Sequence, residues 1–425
     1  MLRTMLHTFC FRVATALLSL GLLVASTRYL GAEGRGVLSL ALTGMGVIGM
    51  LSGFMGGSSL VYLLSRRGDR RYWQRVIGLS SAWAAAVALA GTAVMRALGV
   101  VPPQVTVHVL LLGLLANLLA ILSYSLLSAE RILRYNLIAV LQVAVTLGIF
   151  GIWPMAGGRA SVGLYLAALY CSYLACLALA SSLHSNLRRP RAGPPSGAES
   201  LLATGRGVLR YGLMSQAGLV IQFLNYRLSF FFLNHHAGTA AVGVYSVGSL
   251  LAESLWMLPG SIALVLYARV SSAGETKAVQ ETTISLAKLS LAATLVMLGV
   301  LLAIPPSLLA AVFGRDFGGV GQVILCMAPG ILALSYSMVI NHFLAGIGLF
   351  LVNTRAAALG LAVTVAGNLL LVPRMGLPGA ALTSSAAYLA TAAYAVHFFM
   401  RRTGIPFRRL LPEKTDLVRL LTLLK

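Results

Sequence analysis

Residues 105–128 read VTVHVLLLGLLANLLAILSYSLLS and contain no Asp, Glu, Lys or Arg. About 20 mostly apolar residues let a helix cross the hydrocarbon core of a bilayer, so this stretch reads as one membrane span. Outward from it the pattern recurs, with apolar runs at approximately 10–30, 37–63, 76–96, 136–156, 161–183, 208–233, 241–268, 284–304, 320–345, 354–373 and 377–399. Composition agrees: 58% of the 425 residues are hydrophobic and 10% charged, against about 25% charged in a soluble domain, and the mean hydropathy is +0.88. The sequence predicts an all-α polytopic membrane protein with about twelve transmembrane helices. The first run follows Arg3 and Arg12 and ends in Val24-Ala25-Ser26, as a secretory signal does. It is nevertheless long enough to span, and a second run follows at once, so it reads as a retained helix.

The formal net charge of +22 and a pI near 10.7 raise the question of a nucleic-acid partner, because basic patches bind phosphate backbones. The positions of the charges argue against one. They cluster in short segments between apolar runs, as orientation signals do. With the N-terminus inside, 25 Lys and Arg fall on one side, including Arg66, Arg67, Arg70, Arg71 and Arg75. Arg28, Arg35, Arg96, Arg159, Arg315 and Arg374 fall on the other, which leaves Arg227 over from the 32. Both termini are therefore predicted to be cytoplasmic, and the surrounding partner is a phospholipid membrane. Residues 184–207 carry Arg188, Arg189, Pro190, Arg191, Pro194 and Pro195 and read as a cytoplasmic linker. They join six-helix bundles at 1–183 and 208–400. Residues 401–425 form a basic cytoplasmic tail, in which Leu417, Leu420, Leu421 and Leu424 have a helical spacing suited to the inner leaflet; the alternative is a disordered tail.

The halves also repeat. Gly36-Val37-Leu38-Ser39 opens the second span and Gly243-Val244-Tyr245-Ser246 the eighth, 207 positions on. Leu122-Ser123-Tyr124-Ser125 recurs as Leu334-Ser335-Tyr336-Ser337, 212 on, and Pro154 and Tyr170 match Pro373 and Tyr388, 219 and 218 on. Their common order and near-constant offset point to a six-plus-six duplication. Six is even, so the two repeats are parallel and related by an axis along the membrane normal, with a central cleft between them as the natural substrate site.

Arg28-Tyr29-Leu30-Gly31-Ala32-Glu33-Gly34-Arg35-Gly36 resembles the loop between the first two helices of Wzx-type polysaccharide flippases, members of the multidrug/oligosaccharidyl-lipid/polysaccharide exporter superfamily. Tyr226-Arg227-Leu228-Ser229, Ala241-Val242-Gly243-Val244-Tyr245-Ser246 and Leu251-Ala252-Glu253 resemble that family's seventh and eighth helices. Gly367-Asn368-Leu369-Leu370-Leu371-Val372-Pro373 and Gly376-Leu377-Pro378-Gly379-Ala380-Ala381 resemble its eleventh and twelfth. The likeness runs from Arg12 to Phe399. One position departs: many members carry an acid shortly after the span-seven Arg, where this chain has Ser229. The resemblance implies a MATE-like fold in a bacterial inner membrane. It further implies alternating-access transfer of polyprenyl-pyrophosphate-linked oligosaccharide from the cytoplasmic to the periplasmic leaflet, for O-antigen, capsule or exopolysaccharide, in company with the polysaccharide polymerase machinery.

A charge at the bilayer centre costs about 2.5–3.5 kcal/mol on insertion scales, so intramembrane ionisable residues are functional candidates. Two stand well inside the spans, Arg227 and Glu253. A guanidinium grips phosphate oxygens through paired donors, which suits Arg227 to a pyrophosphate; the alternatives are a pair with Glu253 or a stem reaching the periplasmic edge. Gln216, Gln222 and Asn225 offer amides either to sugar hydroxyls or to neighbouring helices. Arg12 at the cytoplasmic end of the first span, and Arg28 and Arg35 at its periplasmic end, are further head-group candidates, or else anchors and caps. Glu253 is the candidate for coupling to H+ or Na+, and Pro259, six residues on, is the candidate gating kink.

No cofactor is predicted, and no metal either, since Cys10, Cys171, Cys176, Cys326 and the seven His lack ligand spacing. The sequence has no phosphate-binding Gly-rich loop and no long loop for catalytic side chains, which favours a transporter over an enzyme. Within the superfamily the rival is a drug/cation antiporter. Such a carrier needs acids to hold cations, and of ten acids here only Glu253 lies deep in a span. The peptidoglycan-precursor flippase is closer in chemistry, but that family usually has more spans than the twelve counted.

Overall fold

The computed structural model describes residues 2–66, 70–185 and 201–411. Arg67, positions 186–200 of the predicted linker and the Leu417–Leu424 stripe lie outside them. The described residues contain helices and no strand. That is what a bilayer demands of an apolar chain, since each backbone polar group must bond within its own segment. In order the helices are α1 (Leu2–Ser52), α2 (Gly57–Arg66), α3 (Arg70–Ala97), α4 (Pro103–Ser128), α5 (Ile132–Met155), α6 (Val162–Ser185), α7 (Leu201–Ser254), α8 (Met257–Ala273), α9 (Lys277–Leu302), α10 (Pro306–Phe313), α11 (Val320–Gly346), α12 (Phe350–Leu370), α13 (Val372–Met375), α14 (Leu377–Thr403) and α15 (Phe407–Leu410).

Helices α1 and α7 have 51 and 54 residues, about twice what a crossing needs at roughly 1.5 Å per residue. Each breaks at one glycine, Gly31 (φ 65°, ψ −174°) and Gly238 (φ 80°, ψ 173°), in a backbone region that is essentially glycine-only. Both breaks are reversals. Arg227 and Glu253 would lie about 39 Å apart on a straight helix, yet they pair at 2.9 Å across Gly238. Ser26 and Arg35 bond at 3.0 Å across Gly31. Each long helix is thus a hairpin of two antiparallel arms, and Gly31 and Gly238 stand 207 positions apart, the offset of the first repeat match. Later turns repeat as well: Glu130 (φ 60°) and Gly348 (φ 84°) close corresponding helices, as do Gly157 (φ 86°) and Gly376 (φ 56°).

Among the described residues, eight helices are long and apolar enough to cross a membrane, nine with the bent pair α7 and α8. Opening α1 and α7 into their arms, continued by α2 and α8, and adding α14 gives twelve crossing-length arms. Helix α14 is not among the eight, for a reason that packing supplies. Its Ser385, Thr383 and Thr391 lie where Gly330 of α11 and Gly367 and Gly360 of α12 leave room for close approach, and Ser385 Oγ accepts the Gly330 N–H at 2.9 Å. Small residues and hydroxyls at helix contacts are how membrane bundles pack. Two runs expected as single spans, 37–63 and 241–268, are instead interrupted, after Ser52 and after Ser254.

The chain forms two compact units, Met1–Phe223 with Val312–Gly314, and Leu224–Ala311 with Arg315–Lys425. Unit 1 is built on apolar clusters around Leu60, Leu64 and Trp73 and around Leu126, Ile138 and Cys176. Unit 2 has its core around Val270, Ile340, Phe343 and Phe399.

Candidate substrate and coupling site

In unit 2 the Gly238 hairpin sets the two intramembrane charges side by side. Arg227 donates to both oxygens of Glu253, Nη1 to Oε1 at 3.1 Å and Nη2 to Oε2 at 2.9 Å. The side chains are only 20% and 12% exposed, so both ions have lost most of their water and each depends on the other. Such a fork is the same geometry that would grip a phosphate. Around the pair stands an aromatic shell. Tyr226, Trp256 and Tyr388 pack with centroids 5.3 to 5.6 Å apart, Phe230 lies 5.4 Å from the guanidinium carbon, and Tyr388 Oη donates to Glu253 Oε1 at 3.5 Å. The indole N–H of Trp256 is tied to the Ile331 carbonyl at 3.2 Å. Sequence reasoning did not single out Trp256 and Tyr388 for this site, because aromatic residues in apolar runs look alike whether they fill a core or enclose a charge.

Pro259 explains the interruption of the eighth span. It is the third residue of α8, and its missing N–H would have bonded the carbonyl of Leu255. The helix breaks at Leu255 and Trp256, with a 42° bend between α7 and α8. The amides of the seventh span separate. Asn225 is buried and cross-links helices, donating to the Ala357 carbonyl at 2.9 Å and accepting from Thr364 Oγ1 at 3.1 Å. Gln222 is half-buried. Gln216 is buried in unit 1, against Gly53 and Gly57.

The other candidate arginines, Arg12, Arg28 and Arg35, lie in unit 1. Arg12 is exposed on α1. Arg28 is exposed at one end of an open apolar groove of about 710 Å³ between α1 and α5, lined by residues such as Leu17, Leu20 and Gly148. Arg35 is 6% exposed. Its one hydrogen bond among the described residues goes to Ser26 Oγ, and its Nε has none. A buried guanidinium without a carboxylate is the electrostatic opposite of the Arg227 pair. Among the described residues no three His, Cys, Asp or Glu converge in a way that would hold a metal ion.

The fold has solved counterparts. A multidrug resistance MATE family transporter of the MOP superfamily, in its inward-facing conformation, superimposes with a TM-score of 0.71 over 91% of this chain and 94% of that one, at 14% identity. The chain has a MATE-type fold. The lipid II flippase MurJ, in an inward closed conformation, matches with a TM-score of 0.64 over 100% of this chain and 92% of that one, at 13% identity. A MOP superfamily transporter from Pyrococcus furiosus, whose binding pocket of reverse polarity suggests a different function, matches at 0.53 over 94% and 93%, with 14% identity. In sequence, the chain matches no protein-family model and no curated relative.

Proposed function

We propose that the protein is a flippase that moves polyprenyl-pyrophosphate-linked oligosaccharide units from the cytoplasmic to the periplasmic leaflet, by alternating access, for polysaccharide synthesis. The observation that carries the reading is the balance of buried charge. Among the described residues, Arg35 is a buried cation with no acid beside it, while the single acid deep in a span, Glu253, is held at both oxygens by Arg227. This arrangement suits an anionic head group and leaves no open carboxylate for a cationic drug. The resemblance to Wzx-type flippases supports the same reading, as does a fold shared with a flippase of a lipid-linked substrate.

Arg227 and Glu253 are the pair on which the cycle would act. The Glu253 carboxylate occupies the guanidinium fork, and an anionic head group would compete with it for the same donors. Glu253 is the proposed point of coupling to H+ or Na+.

The test is transbilayer movement of polyprenyl-pyrophosphate oligosaccharide in proteoliposomes, scored by accessibility to an impermeant lectin. Protein-dependent movement supports the reading. No movement with several glycans, under imposed proton and sodium gradients, overturns it in favour of drug/cation antiport.

A further inference from the structure

Unit 1 contains a polar site with no arginine in its lining. The interruption between α1 and α2 lines a cavity of about 290 Å³ together with α4 and the first arm of α7. Its polar lining is Ser52, Asn117, Tyr124 and Gln216, and no charged residue contributes. These groups are underused. The Ser52 hydroxyl is buried without a partner. Asn117 donates its amide nitrogen to the Gly113 carbonyl at 2.6 Å, which leaves its carbonyl oxygen to the cavity. Gln216 and the Tyr124 hydroxyl have no hydrogen bond among the described residues. Buried polar groups in native structures are nearly always satisfied, and exceptions call for an explanation such as a ligand.

The break is also held in shape. Trp83 Nε1 donates to the Leu51 carbonyl at 3.1 Å, and Ser80 Oγ to the Met55 carbonyl. Gly57 sits at φ 58° with the Gln216 amide directly against it. Non-helical backbone at membrane depth is tolerated where it lines a cavity.

We infer that this cavity is the subsite that recognises one sugar residue of the lipid-linked substrate. The choice of a sugar rests on the flippase reading; the site itself rests on its chemistry. The Tyr124 hydroxyl and two amides offer donors and acceptors without charge, which matches ring hydroxyls and acetamido groups and not a phosphate, and Tyr124 adds a ring surface. The volume, close to the lower end of about 300–1,000 Å³ for ligand sites, admits one ring and not an oligosaccharide.

The experiment compares the binding of two lipids to the full-length protein in nanodiscs: undecaprenyl pyrophosphate, and undecaprenyl pyrophosphate headed by N-acetylglucosamine, N-acetylgalactosamine, galactose or glucose in turn. Wild type should bind at least one headed lipid about tenfold more tightly than the bare lipid, the worth of one or two net hydrogen bonds. Ala120→Leu, which fills the cavity from α4, and Gln216→Leu should bring that ratio to within about twofold. A wild-type ratio near one for all four sugars, or a ratio unmoved by Ala120→Leu and Gln216→Leu, overturns the inference and leaves a merely hydrated cavity. The lectin assay decides separately whether the protein is a flippase: flipping without a cavity-dependent ratio removes this site alone, and a cavity-dependent ratio without flipping removes the transport reading alone.

Discussion

At the offset of 207 that relates Gly31 to Gly238, the positions of Arg227 and Glu253 in unit 2 correspond to Leu20 and Gly46 in unit 1. Trp256 corresponds to Gly49, and Pro259 to Ser52. Both units interrupt the same helix, but with different chemistry. Unit 2 uses proline and then fills the space with an indole and an ion pair. Unit 1 has glycine and serine there, and the space stays open as the polar cavity. One duplicated scaffold thus holds a charge-bearing site in one copy and a neutral site in the other. Where a repeat diverges most sharply at a structurally equivalent place, function is the first explanation to test.

The largest effect should come from splitting the ion pair. Arg227→Ala leaves Glu253 buried beside aromatic rings, and removing one partner of a buried pair costs about 3–5 kcal/mol. Export of lipid-linked sugar should vanish. The double variant Arg227→Leu with Glu253→Leu should regain most of the thermal stability, because a buried pair is replaceable by apolar groups, while transport stays lost. Thermal unfolding in detergent and the lectin assay read the two effects apart. Full activity of Arg227→Ala would remove the proposed pyrophosphate role.

Trp256→Ala tests the filled half of the comparison. It removes the indole that packs on Tyr226 and Tyr388, and large-to-small changes at buried aromatic sites cost about 3–5 kcal/mol. The melting temperature should fall by several degrees, with the cavity of unit 1 and its sugar preference untouched. A loss of sugar preference in this variant would mean that the two sites do not work separately. At the reversals the two units should instead behave alike. Gly31→Ala and Gly238→Ala each force a side chain into a region where strain costs about 1–3 kcal/mol, and similar losses of folded protein in membranes would confirm that both glycines are turns of one repeated design.

The helices, their number and the duplication were legible in the sequence because they depend on local quantities: run length, turn residues and the spacing between them. Even α14, whose hydroxyls dilute its hydropathy, was placed within a few residues, since Gly376 and the Arg401-Arg402 pair mark its ends. The sequence also marked Arg227 and Glu253, and their mutual pairing was one of the readings it allowed. The surroundings were not legible. Nothing local says that Trp256 and Tyr388 enclose the pair, that Asn225 spends its amide on α12, or that Arg35 is buried without an acid. The cavity was hidden for the same reason. Gly49, Ser52 and Gly53 read as part of an apolar run, and only packing against α4 and α7 shows that they border open space.

The smallest expected effect is the most discriminating for that cavity. Gly49 is helical, and a Cβ placed there would meet Asn117 Oδ1 at 3.8 Å, an ordinary contact. Replacing glycine by alanine at a compatible helical position stabilises by about 0.4–1 kcal/mol, chiefly by restricting the unfolded chain. Gly49→Ala should therefore raise the melting temperature slightly. The same methyl group projects toward the amide that the proposed sugar would use, so the sugar preference measured in nanodiscs should fall while stability rises. Stability and preference moving in opposite directions would mark the glycine as kept for binding. If both rise, or if preference does not change, Gly49 serves only to let helices approach, and the open half of the comparison is packing left unfilled.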